Sequence, residues 1–356
     1  MTVRLIEGWD HFTDPASKGW QFVTSGQYPA PSVYRTTPRL SGGYSWHLGI
    51  EGQAGSYEWV VATYWKLLPS TYTTLIAGFA IGRGGGMPSP WNDTSTMWFV
   101  TAGRAGIAAL RFNSAKQPYI VNGSGTTIAT CPFIHNDGEW HYYEIKLVID
   151  GASGSVEMRV DGGPMIGATT GNFGSTACGG IAFETSSNAY HPVYGYHFDD
   201  VYVVDTAGSA PQNTFLGDIR VGTVYPTGEG SNSDFTPNSG TTHYTQVDED
   251  ASDGSTTTLY TPDVGDKDSW EHGDINVSTT TIYAVQANLV ARKDDANTRQ
   301  IRSIVRQGGT DYDGATVHTL STSYATYSTI MELDPVGAAW SVANLNADEF
   351  GVKVSA

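Results

Sequence analysis

Trp91 and Asn92 stand in GRGGGMPSPWND, a run of Gly, Pro, Ser and Asp in which an indole is hard to bury. Tyr190, Tyr194 and Tyr196 crowd a second loop-like run, AYHPVYGYHF. Aromatic faces beside amides and carboxylates are what sugar rings stack on and hydrogen-bond to. Glycan binding is therefore the chemistry these residues suit best, with Trp91, Asn92, Tyr190, Tyr194 and Tyr196 as candidate contacts. For Trp91 a subunit contact is as good an explanation, because aromatic residues are enriched at interface hot spots. Trp59, Trp98 and Trp140 fall inside strand patterns and are read as structural.

Other chemistries find less support. The chain has no Gly-x-Ser-x-Gly elbow for a serine nucleophile. The GRGGG run at 82–86 lacks the Lys-Ser/Thr ending and following helix of a phosphate loop. Asp248–Gly254, DEDASDG, resembles a calcium loop, but its glycine comes one place late and no glutamate closes it. His191, His197 and Asp199 have ligand chemistry, yet histidines beside Tyr and Pro read as loop residues. No catalytic, cofactor or metal-ligating residue is expected. Cys131 and Cys178 are too far apart for a zinc ribbon or a redox pair; they read as two buried free thiols, with a disulfide between strands as the alternative.

The elements that must position these residues are strands. In Glu139–Gly162, His141, Tyr143, Ile145, Leu147 and Ile149 fall on one face and Trp140, Tyr142, Glu144 and Lys146 on the other. After a DGASGS turn, Val156, Met158 and Val160 alternate with Glu157, Arg159 and Asp161. Period-2 alternation marks strands with one dry and one wet face. Glu144, Lys146, Glu157 and Arg159 are expected to pair across the hairpin on a solvated face. Further strands are predicted at 57–67, 74–81, 96–101, 106–112, 118–121, 180–184 and 197–204. Short strands parted by Gly, Pro, Ser and Asn clusters predict a sandwich of antiparallel sheets over residues 1–206.

Residues 207–240 predict a linker, with one short strand in FLGDIRVGTVYP, whose Phe215, Leu216, Ile219, Val221 and Val224 need burial. Residues 241–356 predict a smaller β-rich assembly domain, with strands at 280–292, 298–306, 315–319 and 328–333, a short helix over 340–348 and a last strand at 350–354. Residues 218–274 are sharply acidic and read as solvated loops. Arg299, Arg302 and Arg306 form a basic edge that would answer them, within or between subunits.

The formal net charge of −17 repels nucleic acid and anionic membranes, so neither is an expected partner. No apolar run is long enough to span a bilayer, and the opening MTVRLIEGWDHF has no apolar signal region. Synthesis in a cytoplasm is expected.

The first half resembles the concanavalin A-like lectin/glucanase sandwich, in the LamG-like form common in bacteriophage structural proteins. The residues that carry the resemblance are Trp140–Ile145, Gly154–Gly162, Phe198–Val203 and the opening Glu7-Gly8-Trp9-Asp10. The second half is similar to a segment that follows such domains in phage virion proteins, through FLGDIRV at 215–221, Pro226-Thr227-Gly228 and the ending Trp340 … Leu345-Asn346-Ala347 … Phe350-Gly351-Val352-Lys353. The resemblance implies an all-β fold: an antiparallel jelly-roll sandwich followed by the smaller β-rich domain. It implies a non-enzymatic structural component of a virion, at the tail or on the capsid surface. That component would be made in the host cytoplasm and act as a homo-oligomer, trimer or ring, with other virion proteins.

Adhesion to host glycans is the alternative function. The family's glycosidases carry Glu-x-Asp-x-x-Glu on a strand, which sets two carboxylates at hydrolytic separation. This chain has none; Glu332-Leu333-Asp334-Pro335 lacks the second glutamate and holds a strand-breaking proline. The family's structural calcium would fall at Asp199-Asp200 near Glu7; otherwise one aspartate ends the strand and the other faces water.

Overall fold

The computed structural model describes residues 2–12, 14–25, 33–36, 39, 44–50, 59–83, 95–188, 194–275 and 281–356. Two compact units divide the chain. One joins Thr2–Trp9 to Gly19–Val221, the other Asp10–Lys18 to Gly222–Ala356. Residues 207–221 of the expected linker thus run with the first unit and 222–240 with the second.

The first unit contains β1 (Val3–Glu7), β2 (Gln21–Ser25), β3 (Val33–Thr36), β4 (Ser45–Ile50), β5 (Trp59–Tyr72), β6 (Thr74–Arg83), β7 (Ser95–Thr101) and β8 (Gly106–Phe112). It continues with β9 (Pro118–Asn122), β10 (Thr127–Thr130), β11 (Trp140–Val148), β12 (Ser155–Val160), β13 (Gly163–Thr170), β14 (Cys178–Asn188) and β15 (Tyr194–Asp205). One sheet runs β13-β12-β11-β6-β15-β4-β3, with β1 also on β15; the other runs β10-β9-β8-β7-β14-β5-β2. The fold is an antiparallel jelly-roll sandwich, as the alternation predicts. Its core lies between the sheets, where Phe183 meets Trp9, Trp20, Phe79 and Phe198.

Cys131 and Cys178 are buried free thiols, and burial pushes Cys178 up to about 11.

The β11–β12 hairpin has the expected register, with Glu144 opposite Arg159 and Lys146 opposite Glu157. Its outer face is only partly solvated, however: Lys146, Glu157 and Arg159 are half-buried, but Glu144 is fully buried. Its Oε1 accepts from the Tyr202 hydroxyl at 2.5 Å and from the Gly217 amide at 2.8 Å. The Leu216 amide donates to that hydroxyl at 3.2 Å, and the Val221 amide to Asp200 Oδ1 at 2.8 Å. Residues 215–221 therefore form no strand. The amides of Leu216, Gly217 and Val221 are satisfied by side chains of the sheet they cross rather than by a ladder. Conversely, PTGEG, which reads as loop, lies in a strand, Pro226–Ser233. Its proline sits at the first position of an edge strand, where no amide is missed.

The second unit holds that strand, β16, then β17 (Thr236–Pro237), β18 (Leu259–Tyr260), β19 (Lys267–His272), β20 (Val285–Ala291) and β21 (Gln300–Gln307). After them come β22 (Thr310–Asp313), β23 (His318–Thr319), β24 (Ala325–Met331), α1 (Val342–Ala347) and β25 (Glu349–Val354). The sheet β16-β19-β25-β21-β22 packs Trp270, Ile301 and Val352 against Leu289, Leu320 and Tyr327. The Ser341 hydroxyl caps α1 by accepting from the Asn344 amide. The basic edge pairs with groups outside the acidic run of 218–274: Arg299 with Asp295, Arg306 with Asp311, and Arg302 donates to the Gly314 carbonyl. Asp268 departs from the expected solvated acids. It is fully buried and bonded to His243 Nδ1 at 2.7 Å.

His272 gives this unit a pH dependence. Burial against Phe350 lowers its pKa to about 4. The folded value lies below the unfolded 6.5, so its stabilisation is whole above pH 6.5 and fades as pH falls toward 4. Asp268, raised by burial to about 6, acts oppositely: its contribution is whole below 3.8 and fades as pH rises through 6. Thermal unfolding from pH 7 to 4 should show His272→Gln losing on the order of 2 kcal/mol less than wild type over that range. Parallel curves would refute it.

Candidate functional site

The candidate site is built on the outward face of the β10-β9-β8-β7-β14-β5-β2 sheet. Alternation assigns the faces. Tyr64 and Phe183 are opposite each other and point inward, Tyr64 meeting Trp46 edge-on and Phe183 meeting Phe79. Their neighbours Trp65 and Ala182 must then point outward. Ala182 lies opposite Trp65 on one side and Trp98 on the other. Two indoles thus flank one alanine, two strand spacings or roughly 10 Å apart.

Trp98 lies along the sheet. It packs on Ala109, Tyr119 and Val121, and a Cβ on Gly106 would come within 2.5 Å of its ring. The glycine is what lets the ring lie flat. Arg111 stands over it, with Cζ 5.8 Å from the ring centroid. One step along β14, Glu184 shares the face and accepts from the Thr63 hydroxyl at 3.4 Å. Burial raises the Glu184 carboxyl above its usual range, partly offset by Trp98, Thr63 and Arg111. Among the described residues of these seven strands, Glu184 is the only carboxylate. The arrangement offers flat apolar rings, a cation, a hydroxyl and one carboxyl group, a set suited to a ligand with both faces and hydroxyls.

Of the candidates read from sequence, Trp91, Asn92 and Tyr190 lie outside the described residues, as does the side chain of Tyr194, which begins β15. Tyr196 is 5% exposed and stacks on Phe112 inside the sandwich at 6.1 Å, so its ring is closed to a ligand. Its spacing from Phe198, two residues on in the same strand, is the signal that places it inward. Trp98, read as purely structural, is half-buried on the open face.

The acids read as calcium candidates are held by protein groups. Glu7 accepts from the Trp9 amide and Trp20 Nε1, both at 3.2 Å. Asp199 accepts from the Arg39 and Asp200 amides, and Asp200 faces Arg39 and Arg220. In the DEDASDG run, Glu249 and Asp253 both accept from the Thr257 hydroxyl. Among the described residues no group of three His, Cys, Asp or Glu side chains is placed to hold a metal.

The class that fold and site define is the all-β one, an antiparallel jelly-roll sandwich with a smaller β-rich unit. No family profile matches the chain, and no curated protein does. Solved structures similar to it include alginate lyase Aly36B, a mutant in complex with alginate trisaccharide (14% identity, TM-score 0.38, 56% of this chain and 97% of that one). Lectin II from Ulex europaeus shares 14% identity at TM-score 0.38, over 56% and 97% of the two chains. An endo-1,3-beta-glucanase from Streptomyces sioyaensis shares 11% at 0.39, over 56% and 94%.

Proposed function

We propose that the sandwich binds carbohydrate across the outward face of its β7–β14–β5 strands without cleaving it. The observation that carries this reading is the pair of outward indoles, Trp65 and Trp98, flanking Ala182 beside Arg111 and Glu184. Paired-carboxylate hydrolysis needs a second acid at a set distance. The described strands of this sheet hold a single carboxylate, Glu184. A glycan array probed with wild type and Trp98→Ala tests the proposal. Binding that is lost in the variant, with no reducing ends released from the bound polysaccharide, is expected. No bound glycan, or cleavage of one, would reject it.

A second reading sets the chain in a virion, tail-associated or on the capsid surface, as a homo-oligomer bound to other virion proteins. It is supported by the order of virion-like motifs and by apolar side chains left open in the second unit: Val336 (62% exposed), Val264 (60%), Tyr260 (56%) and Leu333 (51%). Sedimentation of the purified chain and of native particles should show a defined oligomer. A strictly monomeric protein absent from any particle would sink this reading.

A further inference from the structure

The strands VQANLVA (β20) and ATYSTIM (β24) hold no Asp, Glu, Lys, Arg, His or Pro, in a chain of net charge −17. All seven residues of one pair with all seven of the other, from Val285–Met331 to Ala291–Ala325, without a bulge. The sheet has two strands, so each keeps an outer edge that this ladder does not use. Leu289, Ala291 and Tyr327 pack toward Trp270. Alternation then turns Gln286, Asn288 and Val290 outward. Beside β24 the chain itself comes close: the one-turn helix Pro15–Lys18 packs there, and the Met331 carbonyl accepts from Trp340 Nε1 at 3.1 Å. Among the described residues β20 pairs with β24 alone, and none of its residues is fully buried.

The larger sheet of this unit shows guarded edges by contrast. β16 opens with Pro226, carries Glu229 and breaks its register twice. β22 is only four residues long and holds Asp311 and Asp313. Proline, charge, bulges and shortness keep an edge from recruiting another strand. β20 has none of them.

We infer that β20 pairs with the β20 of a second copy of this chain, antiparallel across a two-fold axis, to make one four-stranded sheet. Net charge selects this contact. Two copies of −17 repel each other, and an edge free of ionised groups is where they approach at least cost. The strand is also self-complementary. A two-fold axis normal to the sheet sets outward residues beside outward ones, so it must pass through a residue. With the axis at Asn288 all seven residues pair: Asn288 with its own copy, Gln286 with Val290, Ala287 with Leu289 and Val285 with Ala291. The contact deepens, and rests on, the homo-oligomer of the second reading above; it does not require the virion.

Sedimentation equilibrium of the untagged full chain tests the contact, with Asn288→Lys and Thr326→Lys run beside wild type. Wild type should sediment at about twice 38.2 kDa, and added salt should tighten the dimer by screening the net charge. Asn288→Lys sets two ammonium groups directly opposite each other and should fall to half that mass. Thr326→Lys places the same charge on the same outward face, but on β24, and should remain a dimer. If circular dichroism shows Asn288→Lys unfolded, Val290→Lys decides, since Val290 is 42% exposed. A wild-type oligomer that lysine on β20 leaves intact, or that Thr326→Lys dissociates equally, overturns this contact while the second reading stands. A monomeric wild type overturns the contact as well, and the presence of the chain in particles then decides the second reading.

Discussion

Glu144→Ala is expected to destabilise the sandwich by about 3–5 kcal/mol, the largest stability loss of any polar substitution predicted for this unit. The side chain is fully buried, and one oxygen takes hydrogen bonds from the Tyr202 hydroxyl and the Gly217 amide. Truncation leaves both donors in a low-dielectric site without an acceptor and opens a cavity beside them. The Tyr202 ring cannot swing away freely, because it lies over Gly78, where a Cβ would come within 2.0 Å of it. Glu144→Gln keeps one acceptor oxygen, and about 1–2 kcal/mol is expected instead. Urea unfolding of the three proteins measures the difference. In native-state hydrogen exchange, the Leu216 and Gly217 amides should exchange faster in the alanine variant than amides of the β12–β13 pair. Indifference of stability to both substitutions would mean that the buried carboxylate does not anchor residues 215–221.

Trp98→Ala is expected to weaken glycan binding by about 2 kcal/mol, roughly thirtyfold, as loss of a central aromatic anchor does. Trp65→Ala should cost a similar amount, but only for ligands long enough to reach both rings. The indoles stand on either side of Ala182, roughly 10 Å apart. A monosaccharide covers one of them; an oligosaccharide bridges the pair. Titration of both variants with a length series should show Trp65 mattering only beyond a threshold length. Gly106→Val offers a check that leaves the indole in place. Its added side chain must lift the Trp98 ring off the sheet and should lower affinity while the indole count is unchanged. Equal affinity of all three variants and wild type would remove this face as the binding surface.

The strands were largely legible because their signal is local. In β11 and β12, alternation and a small-residue turn specify both the elements and the pairing, down to Lys146 opposite Glu157. The helix at 342–347 and the last strand were also within reach, since Ser341 is a ready cap and the apolar alternation resumes at Phe350. The apolar spacing of FLGDIRVGTVYP is strand-like, yet residues 215–225 form no strand. What decides its conformation is side-chain acceptors at Glu144, Asp200 and Tyr202, drawn from strands that sequence cannot place beside it.

Which residues are dry and which are open follows the same division. Sequence alone determined an all-β chain, the alternation of its strands and the absence of the paired-carboxylate motif, because each depends on composition or on residues a few positions apart. Tertiary structure decided that β14 inserts between β5 and β7, which brings Trp65, Trp98 and Glu184 onto one face. It likewise set His47 against His197 by laying β4 on β15, and it buried Glu144 on the side of the hairpin that reads as wet. A strand's period says that two faces differ; only the order of strands and the segments crossing them say which face meets water.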